Sequence, residues 1–246
     1  MGSVCGEVEQ YFEASGRASA LFQVRVGPDL FALKVPVEGG DRNRSMSARE
    51  WTFGRFAERA GLPVLALHAI EVDPMELRAK YPRGDLDLGD RTTFTATPLI
   101  TPRERLTWGE LPLCERVRLF LWDCAVCVGC GDKIRDPGPR DFYRCALGER
   151  LFIMLDYEAL PDVWDAVLVE RVQPPPHDRP IEALFADASN APKDVVPEVL
   201  SCFDDDTWRY IVADLELFWP QPDRLDALRS ELRSRVEHAT QFLPWR

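Results

Sequence analysis

Residues 21–37, LFQVRVGPDLFALKVPV, give the strongest indication of the fold of the N-terminal part of the chain. Residues 21–26 and 30–37 have the composition and alternation of β-strands, and Gly27-Pro28-Asp29 between them is typical of a tight turn. The segment therefore predicts a β-hairpin. Its second strand places Lys34 among apolar residues. Because burial of an unpaired ammonium is costly, Lys34 must either extend its amine to solvent or contact an anion.

The residues on either side of this hairpin predict more strands and one helix. Upstream, residues 8–12 fit a strand or a short helical turn, and the small residues 15–20 predict a turn. Downstream, residues 47–60 predict a helix that Gly61-Leu62-Pro63 ends. Apolar side chains recur there at helical spacing: Trp51, Phe53, Phe56 and Ala60. The sequence places Glu50 in the first turn of this helix and Glu58 near its end.

Two further strands complete the predicted N-terminal lobe, residues 1–100. They are expected at residues 64–72 and 92–100, with a charged connection over residues 73–91 that contains proline and glycine. Thr101-Pro102 is a suitable place for the chain to pass to a second lobe.

The second lobe, residues 101–246, is predicted to be mainly helical. Helices are expected at residues 111–128, 161–172, 195–203, 207–218 and 223–242. Gly129 and Gly131 follow the first of them as end signals, and a proline-rich extended segment covers residues 173–177. The predicted fold class is therefore α+β, with two lobes, a small N-terminal antiparallel sheet carrying one helix, and a cleft between the lobes.

Three aspartates of residues 131–158, GDKIRDPGPRDFYRCALGERLFIMLDYE, are candidate site residues: Asp136, Asp141 and Asp156. Asp136 and Asp141 fall in a run whose prolines and glycine exclude a helix. Asp156 follows residues 151–155, an apolar run typical of a buried strand. Carboxylates brought together in this way could bind a divalent cation and orient a hydroxyl group; the alternative is a polar hairpin with solvated acids, since aspartate is common in turns.

The composition limits the classes of function. A formal charge of -11 argues against general affinity for nucleic acid or for an anionic membrane, although it does not exclude a nucleotide. No apolar run is long enough for a membrane span. The seven cysteines are an odd number without the spacing of a small disulfide-rich domain, so we expect reduced thiols and a cytoplasmic or nuclear location.

Cys124, Cys127 and Cys130 form a C-x-x-C-x-x-C pattern, with Cys145 as a further candidate ligand. Such spacing occurs in zinc and iron–sulfur sites. The same cysteines fall on a predicted helix among small apolar residues, where packing alone explains them, and packing is the favoured interpretation.

Four features, in order along the chain, resemble the protein-kinase-like fold in a divergent and shortened form. Phe31-Ala32-Leu33-Lys34 resembles the strand of the family's ATP-binding lysine, and Glu50 lies near the position of the helical glutamate that pairs with it. Ile134-Arg135-Asp136 with Asp141 resembles the catalytic loop, and Asp156-Tyr157-Glu158 resembles the metal-binding D-F-G sequence.

This resemblance implies an ATP- and magnesium-dependent phosphotransferase with a defined set of roles. Lys34 would bind the phosphates, with Gly16 and Ser19 of the preceding loop as further nucleotide contacts. Glu50 would orient Lys34, with Glu58 as the competing candidate. Asp136 would position the phosphate acceptor, which the sequence does not identify. Asp141 and Asp156 would bind magnesium.

The sequence also departs from the family pattern. Asp141 replaces an asparagine, Tyr157-Glu158 replaces Phe-Gly, and Gly16 is the single glycine of the loop. No segment similar to the family's peptide-docking region follows. These departures favour a small or non-standard acceptor over a peptide, or else a catalytically impaired pseudokinase that binds a nucleotide or a protein partner.

Overall fold

The computed structural model describes residues 3–12, 19–37, 45–100, 102–126, 142–145, 151–153, 184–185, 192–219 and 224–245. The strands are β1 (Val4–Cys5), β2 (Glu7–Phe12), β3 (Ser19–Val26), β4 (Asp29–Pro36), β5 (His68–Glu71), β6 (Thr93–Pro98), β7 (Pro102–Arg105), β8 (Phe142–Cys145) and β9 (Leu151–Ile153). The α-helices are α1 (Met46–Arg59), α2 (Pro74–Lys80), α3 (Leu113–Val126), α4 (Val195–Ser201), α5 (Asp205–Ile211) and α6 (Leu225–Ala239). Short 3-10 helices cover Trp108–Glu110, Leu215–Leu217 and Thr240–Phe242.

The chain divides into two compact units. The first contains Met1–Arg55, Leu65–Ile100 and Val212–Pro222, and the second contains Phe56–Val64, Thr101–Ile211 and Asp223–Arg246. The expected division into lobes at residues 1–100 and 101–246 stays a prediction.

The first unit is built on a six-stranded sheet in the order β1-β5-β6-β4-β3-β2. The predicted hairpin of β3 and β4 is confirmed, with Gly27 in the left-handed region of backbone space at φ 59°. The other described pairs are antiparallel too, except for the parallel pair of β1 and β5. The strand alternative for residues 8–12 is therefore correct.

Gly6 connects β1 to β2, which lie at opposite ends of the strand order. The N-terminal segment pairs with β5 through β1 and with β3 through β2, and only Gly6 separates the two strands. The sheet therefore curls so that its two edges are formed by one continuous segment. The amide of Gly6 donates to the carbonyl oxygen of Glu71 at 2.8 Å. A Cβ atom on residue 6 would lie 2.5 Å from Val24 Cγ1 and 2.7 Å from Ile70 Cγ2, so a larger residue does not fit without movement.

One face of this sheet forms the hydrophobic core of the first unit. Leu33 on β4 and Phe94 on β6 are fully buried in it, and Leu77 of α2 packs against it. Asp73 caps α2 by accepting a hydrogen bond from the amide of Met75, which fixes where the helix begins. Because side chains alternate along a strand, Lys34 and Thr95 point to the opposite face.

The second unit has a helical core in which α3 packs against α4 and α6, and α4 packs against α6. Leu228, Leu232 and Val236 are fully buried along one side of α6, as the predicted helix over residues 223–242 requires. Arg118 of α3 binds Glu198 of α4 at 2.6 Å and Glu115 of its own helix at 3.0 Å. Burial raises the pKa of Glu115 although the Arg118 guanidinium works against that rise.

Several sequence-based boundaries were wrong. Ser19 and Ala20, which the sequence placed in a turn over residues 15–20, belong to β3. The strand predicted over residues 64–72 is reduced to β5, and the connection after it contains α2. The helix predicted over residues 207–218 breaks after α5, because Asp214 adopts a left-handed backbone at φ 63°.

The second unit also contains a sheet that the sequence did not predict. Strands β7, β8 and β9 form an antiparallel sheet in that order. In its hairpin, Phe142 pairs with Ile153 and Arg144 pairs with Leu151. The strand expected at residues 151–155 is thus present as β9, whereas the loop expected before it contains β8.

The α+β class is confirmed, with a small N-terminal sheet and a mainly helical C-terminal portion. The helix expected over residues 47–60 is α1, and the one expected over residues 111–128 is α3. The segments expected at residues 161–172 and 173–177, and the end signals Gly129 and Gly131, lie outside the described residues. No helix in the described part of the chain is long and apolar enough to cross a membrane.

Candidate functional site

Lys34 lies on β4 in the middle of the first unit's sheet. Its β3 neighbour is Leu21, and the register of β4 with β6, in which Leu33 pairs with Ala96, brings Lys34 level with Thr95. The flanking residues Leu33 and Val35 are fully buried on the core face. Lys34 therefore stands on the other face, as the strand alternation requires, with its side chain 27% exposed.

Glu50 of α1 is the anion that Lys34 contacts. Lys34 Nζ lies 2.9 Å from Glu50 Oε1, and the Glu50 side chain is only 4% exposed. The hydroxyl of Thr95 donates to Glu50 Oε2 at 2.5 Å. A buried carboxylate needs such partners, because removing its charge from water is costly unless donors replace the water. One carboxylate oxygen of Glu50 thus contacts a residue of β4, and the other accepts a hydrogen bond from a residue of β6.

The sequence left Glu50 and Glu58 as alternative partners for Lys34, and the structure pairs Glu50. Glu58 is exposed and accepts a hydrogen bond from the Tyr210 hydroxyl at 3.5 Å. Because α1 begins at Met46, Glu50 falls in the second turn rather than the first.

The part of α1 that carries Glu50 is held on its other side by the segment Val212–Pro222 of the same unit. Trp51 Nε1 and Arg55 donate to the carbonyl oxygen of Ala213, each at 2.8 Å. The Arg55 guanidinium also lies over the Trp51 ring, 4.7 Å from its centre, and the ring packs against Phe218 at 5.1 Å. These contacts fix the rotation of the helix about its axis, and hence the direction of the Glu50 side chain.

Ser19, a predicted nucleotide contact, begins β3 opposite Pro36. It lies two residues along the strand from Leu21, the residue opposite Lys34, and therefore points to the same face of the sheet as Lys34. The other predicted residues, Gly16, Asp136, Asp141 and Asp156, lie outside the described residues. Their assignment to the site stays a prediction, as does the cleft between lobes.

The cysteine pattern is only partly covered by the structure. Cys124 is half-buried on α3, whereas Cys127 and Cys130 lie outside the described residues. Among the residues that the structure describes, no group of three or more histidine, cysteine, aspartate or glutamate side chains could bind a metal ion.

Thr95 is a residue of this site that the sequence reasoning missed. The alternation of Thr93, Thr95 and Thr97 along a predicted strand was a usable signal, since it marks one polar face. The signal does not state which threonine lies level with Lys34, because that depends on the register between β4 and β6.

Comparisons with known proteins add little to this geometry. No family model matches the chain, and neither does any curated protein. Among solved structures, the chain is similar to the proinflammatory kinase CtkA of Helicobacter pylori, with a TM-score of 0.48 and 10% sequence identity, over 97% of this chain and 94% of that one. A likeness at this level does not establish a family or a function.

Proposed function

We propose that this protein is an ATP- and magnesium-dependent phosphotransferase of kinase-like fold that acts on a small or non-standard acceptor. The observation that carries the proposal is the ion pair of Lys34 and Glu50 at 2.9 Å. Phosphoryl transfer requires a lysine held in place against the nucleotide phosphates, and a strand lysine paired with a helical glutamate meets that requirement.

The exposure of the pair favours a binding role over a purely structural one. Glu50 is buried, whereas the Lys34 side chain is 27% exposed, so an anion can approach the ammonium from solvent. An ammonium carries three donors, and the contact with Glu50 is compatible with a phosphate as a further partner. A purely structural role is a weaker explanation, because apolar residues of similar volume generally stabilise such a position as well as an ion pair does.

The proposed metal ligands come from sequence that flanks the hairpin of β8 and β9. Asp141 immediately precedes Phe142, and Asp156 follows Ile153 by three residues. Phe142 and Ile153 are paired, so the two acids adjoin the same end of the hairpin along the chain. We assign magnesium binding to Asp141 and Asp156, because magnesium prefers carboxylate oxygens, and acceptor positioning to Asp136.

The nucleotide contacts that we assign are Lys34, Gly16 and Ser19, with Glu50 as the residue that orients Lys34. Ser19 supports this assignment because it points to the same face of the sheet as Lys34. Magnesium held by Asp141 and Asp156 would offset the negative charge that Asp141 adds in place of the family's asparagine.

A pseudokinase is the second candidate, and specific residues favour it. Asp141 for asparagine and Tyr157-Glu158 for Phe-Gly are changes in the catalytic and metal-binding sequences, not in the lysine strand. A protein of this kind would keep nucleotide or partner binding and lose phosphate transfer.

Nucleotide binding tests both candidates. Titration calorimetry with MgADP and MgATP should show binding by the wild type and a loss of about tenfold or more in Lys34→Met, because a charge-assisted contact to phosphate is removed. The exposed Lys193 supplies a matched control, and Lys193→Met should bind as the wild type does. An absence of binding by the wild type would rule out both the enzyme and the nucleotide-binding pseudokinase.

Phosphate transfer separates the two candidates. Release or transfer of the γ-phosphate, followed with radiolabelled ATP, should be lost in Asp136→Ala with MgADP affinity retained. Asp226→Ala, at an exposed helical position, is the control. Binding by the wild type without transfer, or transfer that Asp136→Ala leaves unchanged, would remove the enzyme proposal, and the first of these results would favour the pseudokinase.

A further inference from the structure

The hydroxyl of Thr95 is a neutral hydrogen-bond donor to the buried carboxylate of Glu50. The residue is 1% exposed on β6, and its Oγ1 lies 2.5 Å from Glu50 Oε2. Since an ionised carboxylate only accepts hydrogen bonds, the threonine hydroxyl must donate. A hydrogen bond to a charged acceptor in a water-excluded position is among the stronger ones in proteins.

The geometry gives this hydrogen bond a directional consequence. Glu50 reaches the sheet from α1, and its carboxylate turns about the terminal torsion of the side chain, which has no sharp preference of its own. The bond from Thr95 to Oε2 fixes that torsion and leaves Oε1 facing Lys34 at 2.9 Å. Through Glu50, the Thr95 hydroxyl therefore influences the position of the Lys34 ammonium.

We propose that Thr95 is a positioning residue, which acts through Glu50 to fix the Lys34 ammonium and so sets the affinity for nucleotide phosphate. The first half of this proposal concerns the apoprotein and is independent of function. The second half rests on the proposed function. The substitution that addresses it is Thr95→Val, which keeps the β-branched shape and removes the donor.

Two control variants distinguish the effect of losing the Thr95 hydroxyl from the effect of changing the side chain's shape and from the effect of any threonine-to-valine substitution on β6. Thr95→Ser keeps the donor and removes the methyl group. Thr97→Val makes the same chemical change two residues along β6, on the same face of the sheet, where the side chain is only half-buried. Thr95→Ala replaces Thr95→Val if the valine variant does not accumulate as folded protein.

The first measurement is the rate at which Lys34 is reductively methylated in the full-length apoprotein, followed by mass spectrometry with Lys80 and Lys193 as internal references. We expect Thr95→Val to accelerate labelling of Lys34 by about tenfold, the scale of one hydrogen bond to a charged group. Thr95→Ser and Thr97→Val should label as the wild type does. Equal labelling in Thr95→Val and wild type would overturn the proposal.

The second measurement is the dissociation constant of MgADP. Thr95→Val should weaken binding by about tenfold, and the same substitution in a Glu50→Gln background should have little further effect, because both changes act on one interaction. Equal, additive losses in the two backgrounds would show that Thr95 does not act through Glu50. Faster labelling of Lys34 without any binding of MgADP by the wild type would uphold the positioning role and reject the proposed function.

Discussion

Replacement of Lys34 by methionine should destabilise the protein even without a nucleotide, because it removes a cation that lies beside the buried Glu50 carboxylate. At 2.9 Å and an effective dielectric constant of about 20, the direct attraction is roughly 6 kcal/mol. Most of that attraction offsets the cost of removing the carboxylate from water, so the intact pair contributes little net stability. The desolvation cost remains when the lysine is removed.

The expected loss is about 2 kcal/mol of unfolding free energy. Breaking a fully buried pair costs roughly 3–5 kcal/mol, but two features of this site reduce the effect. The Lys34 side chain is 27% exposed, so water can approach the carboxylate from the same direction. Thr95 also continues to donate to Glu50. The double variant Lys34→Met/Glu50→Met should recover to within about 1 kcal/mol of the wild type, because neither charge of the pair remains.

Equilibrium unfolding in urea measures these differences. Tryptophan fluorescence follows the transition of the full-length protein, and Lys193→Met is the control for loss of a lysine charge at an exposed position. A shift of the midpoint without a change of slope reports a change in stability. The reasoning is refuted if Lys34→Met unfolds within about 0.5 kcal/mol of the wild type, or if the double variant is less stable than Lys34→Met.

Three further substitutions test the packing and electrostatics of the first unit. Gly6→Ala should lose about 1–3 kcal/mol in urea unfolding, because the added Cβ overlaps two fully buried side chains, and a neutral or stabilising effect would contradict the curled sheet. Trp51→Phe should lose about 1 kcal/mol, since the carbonyl of Ala213 keeps its second donor, Arg55. Burial lowers the pKa of His68 below its ordinary value of 6.5, so the unfolded state binds the proton at a higher pH than the folded state does. The contribution of neutral His68 to the free energy of unfolding is therefore complete above pH 6.5 and is lost as the pH falls through the lowered pKa. In His68→Gln this part of the acid destabilisation should be absent from stability curves measured between pH 7 and about pH 4; an unchanged curve would argue against it.

The local elements of the first unit follow from short-range sequence signals. The hairpin of β3 and β4 was predicted because alternation and a glycine turn are properties of neighbouring residues. The helix α1 was predicted from apolar spacing, and the four residues that marked it are buried, three within α1 and Ala60 directly after its end. The requirement that Lys34 meet an anion also followed from sequence, because the cost of burying a charge does not depend on the fold.

Other elements depended on partners far away in the chain. The break of the helix predicted over residues 207–218 occurs where the carbonyl of Ala213 accepts hydrogen bonds from Trp51 and Arg55. Strand β8 pairs with both β7 and β9, so short-range pattern alone did not reveal it. In these two segments, contacts with residues far away in the chain override the local propensity, and the local sequence pattern does not reveal such contacts.

For the candidate site, the sequence alone predicted the residue types and their order: a strand lysine followed by a glutamate on the next helix. The tertiary structure decided which of them meet. Glu50 rather than Glu58 contacts Lys34 because of where α1 is placed along and around its axis, since Glu58 lies about two turns further along the helix. Thr95 reaches the same carboxylate because of the register between β4 and β6. Helix rotation and strand register are set by long-range packing, and for that reason a pattern of neighbouring residues does not contain them.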